Sequence, residues 1–150
     1  MSEPRATLPI ERFHLKSGWW MVTVFVALGA ALETCHAFKL GFYVDESNAT
    51  RRLMWTLAHA HGTLLGLMEI AFAFSVGHIQ DWAAGSRRNA SRSLAAASIL
   101  IPAGFFLGGL FVHEGDPGLG VLLVPPGALL LFLAAFLTAR AASRAGKSTD

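Results

Sequence analysis

Two imidazoles stand two residues apart inside an apolar run, Trp55-Thr56-Leu57-Ala58-His59-Ala60-His61-Gly62-Thr63-Leu64-Leu65-Gly66-Leu67-Met68-Glu69. Imidazole and carboxylate groups are costly in hydrocarbon, so one inside a spanning helix faces a partner, a cavity or a ligand. Residues two apart on a helix project about 200° from each other. His59 and His61 therefore cannot ligate one metal from a regular helix, and they read as having separate roles. His59 shares its face with Thr56, Gly62, Thr63 and Gly66. The Gly62-x-x-x-Gly66 pair lets a neighbouring helix approach closely, its commoner use, and equally leaves room for a flat macrocycle beneath a ligating imidazole. That makes His59, with Gly62, Thr63 and Gly66, the candidate seat of a large planar cofactor. His61 lies with Leu57, Leu64, Leu65 and Met68 and reads as a supporting or helix-pairing residue bonded to Glu33.

The elements that position these groups follow from hydropathy. The chain has 150 residues, 53% of them hydrophobic, with a mean hydropathy of +0.49. That is the composition of a membrane protein with one domain. Four apolar runs are long enough to cross a bilayer, near Gly18–Leu40, Leu53–Ile79, Leu94–Val112 and Gly120–Ala139, since a span needs about 20 helical residues. The expected fold is all-α, a four-helix transmembrane bundle. The tails, about residues 1–12 and 142–150, read as mobile ends. The first run is too long for a cleavable signal, and Glu33, His36 and Lys39 stand where small residues would mark a cleavage site.

Nine of the twelve Lys and Arg residues fall in the N-terminal tail, the second loop and the C-terminal tail. The positive-inside rule then places both termini in the cytoplasm, and these flanks account for the basic pI without nucleic acid. The single cysteine, Cys35, excludes an internal disulfide and any multi-cysteine metal centre. No internal repeat and no nucleotide-binding glycine loop is present.

Counting outward from Asp45-Glu46-Ser47-Asn48, Glu33 is expected level with His59 and His61, and His36 slightly nearer the loop. Glu33, His36, His59 and His61 would then meet in one layer of the bundle. Glu69 is left open between a helix–helix hydrogen bond and a proton or substrate contact. Trp19, Trp20, Trp55 and Trp82 read as interface belts. Phe72, Phe74, Phe105 and Phe106 read as lipid-facing or packing groups, and Cys35 as buried and inert. His14, His78 and His113, near span ends, are expected to touch water.

The second helix resembles the corresponding helix of the styrene oxide isomerases, small four-span bacterial membrane enzymes that bind haem b. The likeness rests on Trp55-x-x-Ala58-His59 followed by Leu64-x-Gly66-x-Met68-x-Ile70-Ala71-x-Ala73-Phe74. The resemblance implies a bacterial inner-membrane homotrimer with haem b between subunits and His59 as the axial ligand to iron. It also implies that ferric iron, as Lewis acid, isomerises a small apolar epoxide to an aldehyde. The sequence departs from that family in having Leu65 where the family has an asparagine, and neither acid nor tyrosine on the third helix. Two alternatives stand beside it. One is a non-haem metal site built from Glu33, His36, His61 and Glu69; the other is a haem electron carrier without isomerase activity.

Overall fold

The computed structural model describes residues 7–145. Five α-helices form it: α1 (Leu8–Ala37), α2 (Gly41–Val44), α3 (Ala49–His78), α4 (Ala84–Leu110) and α5 (Val124–Ala145), with 3-10 turns at Glu46–Asn48 and Leu119–Leu123. Four of these helical stretches are long and apolar enough to cross a membrane. The fold is the all-α membrane bundle expected from hydropathy, and its apolar flanks face lipid.

The helices start earlier than the apolar runs do. Pro9 sits in the first turn of α1 with Glu11 beside it, where a missing N–H costs nothing and a negative charge meets the positive end of the helix. From there α1 runs through Arg12 and Lys16, both exposed. In the same way α4 carries Arg87, Arg88 and Arg92 inside its first three turns. A helix satisfies its own backbone, so charged residues on an outward face do not end it. Residues 8–12 and 142–145, expected in mobile tails, are helical; the outermost residues, 1–6 and 146–150, lie outside the described ones.

Packing proceeds in a row. α1 lies along α3, α3 along α4, and α4 along α5, while α1 meets α4 only marginally. The outer helices are correspondingly bare: 17% of the α1 span and 11% of the α5 span are buried, against 50% for α4. Buried or half-buried positions on α1 recur at Ser17 and Gly18, Met21 and Val22, Phe25, Leu28 and Gly29, and Leu32, a single stripe at helical spacing. That stripe meets the glycine face of α3. A Cβ on Gly18 would stand 2.6 Å from the Gly66 carbonyl oxygen, so two backbones touch there and neither residue can carry a side chain.

Two loops close the end of the bundle that holds the α1–α3 and α4–α5 connections. Arg52 donates from Nη1 to the carbonyl oxygens of Tyr43 (2.9 Å) and Asp45 (2.8 Å), and Arg51 Nε donates to Gly109 O (3.2 Å). Arg52 thus holds the carbonyls of the α1–α3 connection, and Arg51 one in the last turn of α4. The connection from α4 to α5 turns through Glu114 and Gly115, at φ 50° and 90°, left-handed conformations that glycine adopts without strain.

Candidate functional site

His59 lies on the α1 side of α3, half-buried. Its Nδ1–H donates to the carbonyl oxygen of Phe25 on α1 at 2.6 Å, which fixes the tautomer and leaves the Nε2 lone pair with no hydrogen-bond partner among the described residues. The ring rests against Gly29; a Cβ there would come within 2.7 Å of Nε2. Reciprocally, the Phe25 ring occupies the notch at Gly62, and Gly66 is covered by Gly18, Met21 and Val22. Of the two uses the sequence left open for Gly62-x-x-x-Gly66, the structure has helix packing: α1 of the same chain fills that face. Gly62 and Gly66 are not a surface on which a macrocycle lies. Thr63, one turn after His59, is half-buried with its Oγ1 enclosed and without a hydrogen-bond partner among the described residues.

The expected layer of four polar groups does not form. Gly29 is the α1 residue opposite His59; Glu33 and His36 lie one to two turns beyond it and are both exposed. The count went astray because α1 stops at Ala37 while α2 and a 3-10 turn occupy the connection, which shifts the pairing of α1 with α3 by about one turn. His61 is bonded to its own helix, Nδ1 donating to Leu57 O at 2.9 Å. Its ring lies 4.9 Å from that of Phe105 on α4, rather than on Glu33. Among the described residues no three His, Cys, Asp or Glu side chains are grouped so as to hold a metal ion. The four residues of the non-haem reading therefore do not converge.

Glu69 has a partner that the sequence reading placed in water. His14 is fully buried, Glu69 is 1% exposed, and the two side chains pair directly through His14 Nδ1 and Glu69 Oε2. Ser17 Oγ donates to Glu69 Oε2 at 3.0 Å and Ser98 Oγ to Oε1 at 2.8 Å. His14 Nε2 lies 2.7 Å from Ser91 Oγ. Phe13 and Phe72 set their rings edgewise to the imidazole, with centroids at 5.0 and 4.6 Å. The cluster ties α1, α3 and α4 together in the half of the bundle away from His59. His78 and His113 are exposed, as expected. Trp82, read as a belt residue, is 7% exposed and packs with Phe72 in the core; Trp19 and Trp20 remain on the outer face of α1.

Two signals pointed to the His14 cluster. His14 lies one turn before Ser17 and Gly18 on the stripe that α1 buries. Counting from the second loop instead of the first, Glu69 lies as deep as Ser93, between Ser91 and Ser98.

The residues present fit an imidazole-held haem at one point. His59 has one ring nitrogen hydrogen-bonded to a carbonyl, as a metal-ligating histidine does, and is half-buried as a residue. The position of the family's asparagine, Leu65, is 1% exposed and packs with Ala97 and Ile101 of α4, so it offers no polar group to the His59 side. Comparison with protein-family models, with curated proteins and with solved structures finds no match to this chain.

Proposed function

We propose that this chain is a haem b-binding protein of a bacterial inner membrane, with both termini cytoplasmic and His59 as the axial ligand. One observation carries the reading: a half-exposed intramembrane imidazole whose Nδ1–H is held by Phe25 O at 2.6 Å, leaving Nε2 free to donate. Such a carbonyl contact orients a ligating ring and raises its basicity. Because α1 covers Gly62 and Gly66, His59 and Thr63 are the residues left on α3 that would hold the haem, and the glycine face would not. A flank that no helix of the same chain closes is completed by another copy, and the bare outer faces of α1 and α5 are consistent with a homo-oligomer, a trimer by resemblance.

A bound ferric haem supplies a Lewis acid able to polarise an epoxide oxygen, the reaction that the resemblance to styrene oxide isomerases implies. What this chain adds is a dry setting, in which apolar residues around His59 keep water from an apolar substrate.

The test is the absorption spectrum of protein purified from haem-replete cells, oxidised and reduced, with a pyridine haemochrome assay. A Soret band and one haem b per chain or per interface are expected. A colourless, iron-free protein rejects the reading. A high-spin ferric spectrum fits a single histidine and an open site for substrate, whereas a low-spin spectrum with a reversible potential favours an electron carrier with two axial ligands.

A further inference from the structure

We propose that Ser91, His14 and Glu69 form a second, acyl-transfer site that acts on carboxylic esters of lipids at the membrane boundary. The connectivity is that of a nucleophile, a base and an orienting acid. Ser91 Oγ lies 2.7 Å from His14 Nε2, and His14 Nδ1 pairs with Glu69 Oε2. The roles are set by geometry and not by order in the chain. Glu69 is itself fixed by Ser17 and Ser98, so the imidazole is held from behind with its second nitrogen turned to one hydroxyl.

Ser91 differs from the hydroxyls that bond back onto their own helix. Thr23, Thr34, Ser75, Thr138 and Ser143 each donate to the carbonyl four residues back, the ordinary state of a hydroxyl within a spanning helix. Among the described residues Ser91 has only His14 as a side-chain partner, and it is half-buried, not enclosed. One turn earlier on the same face of α4, Arg87 holds its Nε buried with no hydrogen-bond partner among the described residues. A buried guanidinium N–H without an acceptor is costly. It is the donor that an oxyanion developing beside Ser91 requires.

Depth selects the substrate class. α4 has 27 residues and is about 40 Å long, close to the roughly 40–45 Å of a whole bilayer with its headgroups. Ser91 is seven residues into α4, or about 10 Å. That is within a few ångströms of the hydrocarbon edge, where acyl esters of lipids lie.

In the first step the Ser91 Oγ–C bond forms at the ester carbonyl while the hydroxyl proton passes to His14 Nε2. The carbonyl π pair moves onto oxygen, where the unpaired Arg87 Nε–H is the donor assigned to it, and returns as the C–O bond to the alcohol breaks. That alcohol leaves with the proton from His14. Water then repeats the sequence: its proton goes to His14 Nε2, its oxygen bonds the acyl carbon, and Ser91 Oγ departs and is reprotonated. Ester and water become acid and alcohol, and Glu69 remains a carboxylate throughout.

The test uses the full chain in lipid nanodiscs, an alkyl fluorophosphonate and 4-nitrophenyl butyrate. A single adduct on Ser91, with Ser17 and Ser98 unlabelled, is expected, together with ester hydrolysis. Ser91→Ala should abolish both at an unchanged unfolding temperature, and His14→Gln should slow labelling by about 10²-fold or more, the general-base contribution. Glu69 is a positioning residue, so Glu69→Gln should lower the rate and alter the pH–rate profile, which a merely structural role leaves in place. Absence of an adduct on Ser91, or hydrolysis undiminished in Ser91→Ala, overturns the proposal. If His14→Gln does not fold, the Ser91→Ala result alone decides.

Discussion

The imidazole of His59 on α3 and the backbone of Phe25 on α1 are joined across 2.6 Å, and each of the two residues sends its ring into a glycine of the opposite helix. His59 settles on Gly29 and Phe25 on Gly62. The exchange locks the register of α1 against α3 and fixes which edge of the imidazole faces outward. Alanine at Gly29 overlaps the His59 ring, and the ring is the part that must move, because Gly29 sits in helix backbone. Gly29→Ala is expected to cost about 1–3 kcal/mol from overpacking and to lower the haem-to-protein ratio sharply. Thermal unfolding and haem quantitation of the purified variant measure both. Gly62→Ala should cost a similar amount through Phe25 while retaining more haem.

His59 and His61 differ in what they hold. His61 is bonded within its own helix and lies beside Phe105, facing α4 rather than the α1 flank. His59→Ala is therefore expected to remove the Soret band, and His61→Ala to keep most of it. Imidazole added to His59→Gly should restore part of the band, since the free ring can occupy the vacated space. A Soret band of full intensity in His59→Ala would remove this residue from the iron.

The hydropathy pattern made the four spans legible because each contains an uninterrupted run of the required length. It did not make legible where α1 and α4 begin. Arg12, Lys16, Arg87 and Arg92 looked like flanking charges, yet the helices pass through them, presenting Arg12, Lys16 and Arg92 outward and leaving Arg87 half-buried. His14 was lost with those ends: a histidine among Arg12, Phe13 and Lys16 carries no sign of burial unless the α1 stripe is extended back one turn. His59 stands out because no Asp, Glu, Lys or Arg interrupts the run from Leu53 to Met68 around it. Its true neighbour, the Phe25 carbonyl, is backbone, and no residue type announces a backbone acceptor. Glu33 was overvalued because equal depth does not imply a shared face.

Glu69 offers a stability measurement that separates the two halves of the bundle. Glu69 and His59 are ten positions apart along α3, about 15 Å of helix, so a change at Glu69 should leave the His59 environment in place. Glu69→Ala strands the His14 Nδ1–H and the Ser98 hydroxyl in the core, whereas Ser17 keeps a contact to His14 O at 3.3 Å. Breaking one side of a buried pair in this way is expected to cost about 3–5 kcal/mol. Glu69→Gln retains an acceptor oxygen and should cost about 1–3 kcal/mol. The double variant His14→Phe, Glu69→Leu removes both partners and leaves no stranded charge, so its cost should fall below the sum of the single changes by about 0.5–3 kcal/mol. Reversible unfolding in mixed detergent micelles gives all of these values. Strict additivity would mean that the imidazole and the carboxylate do not act as a pair, and the bond drawn between α1 and α3 at this level would have to be abandoned.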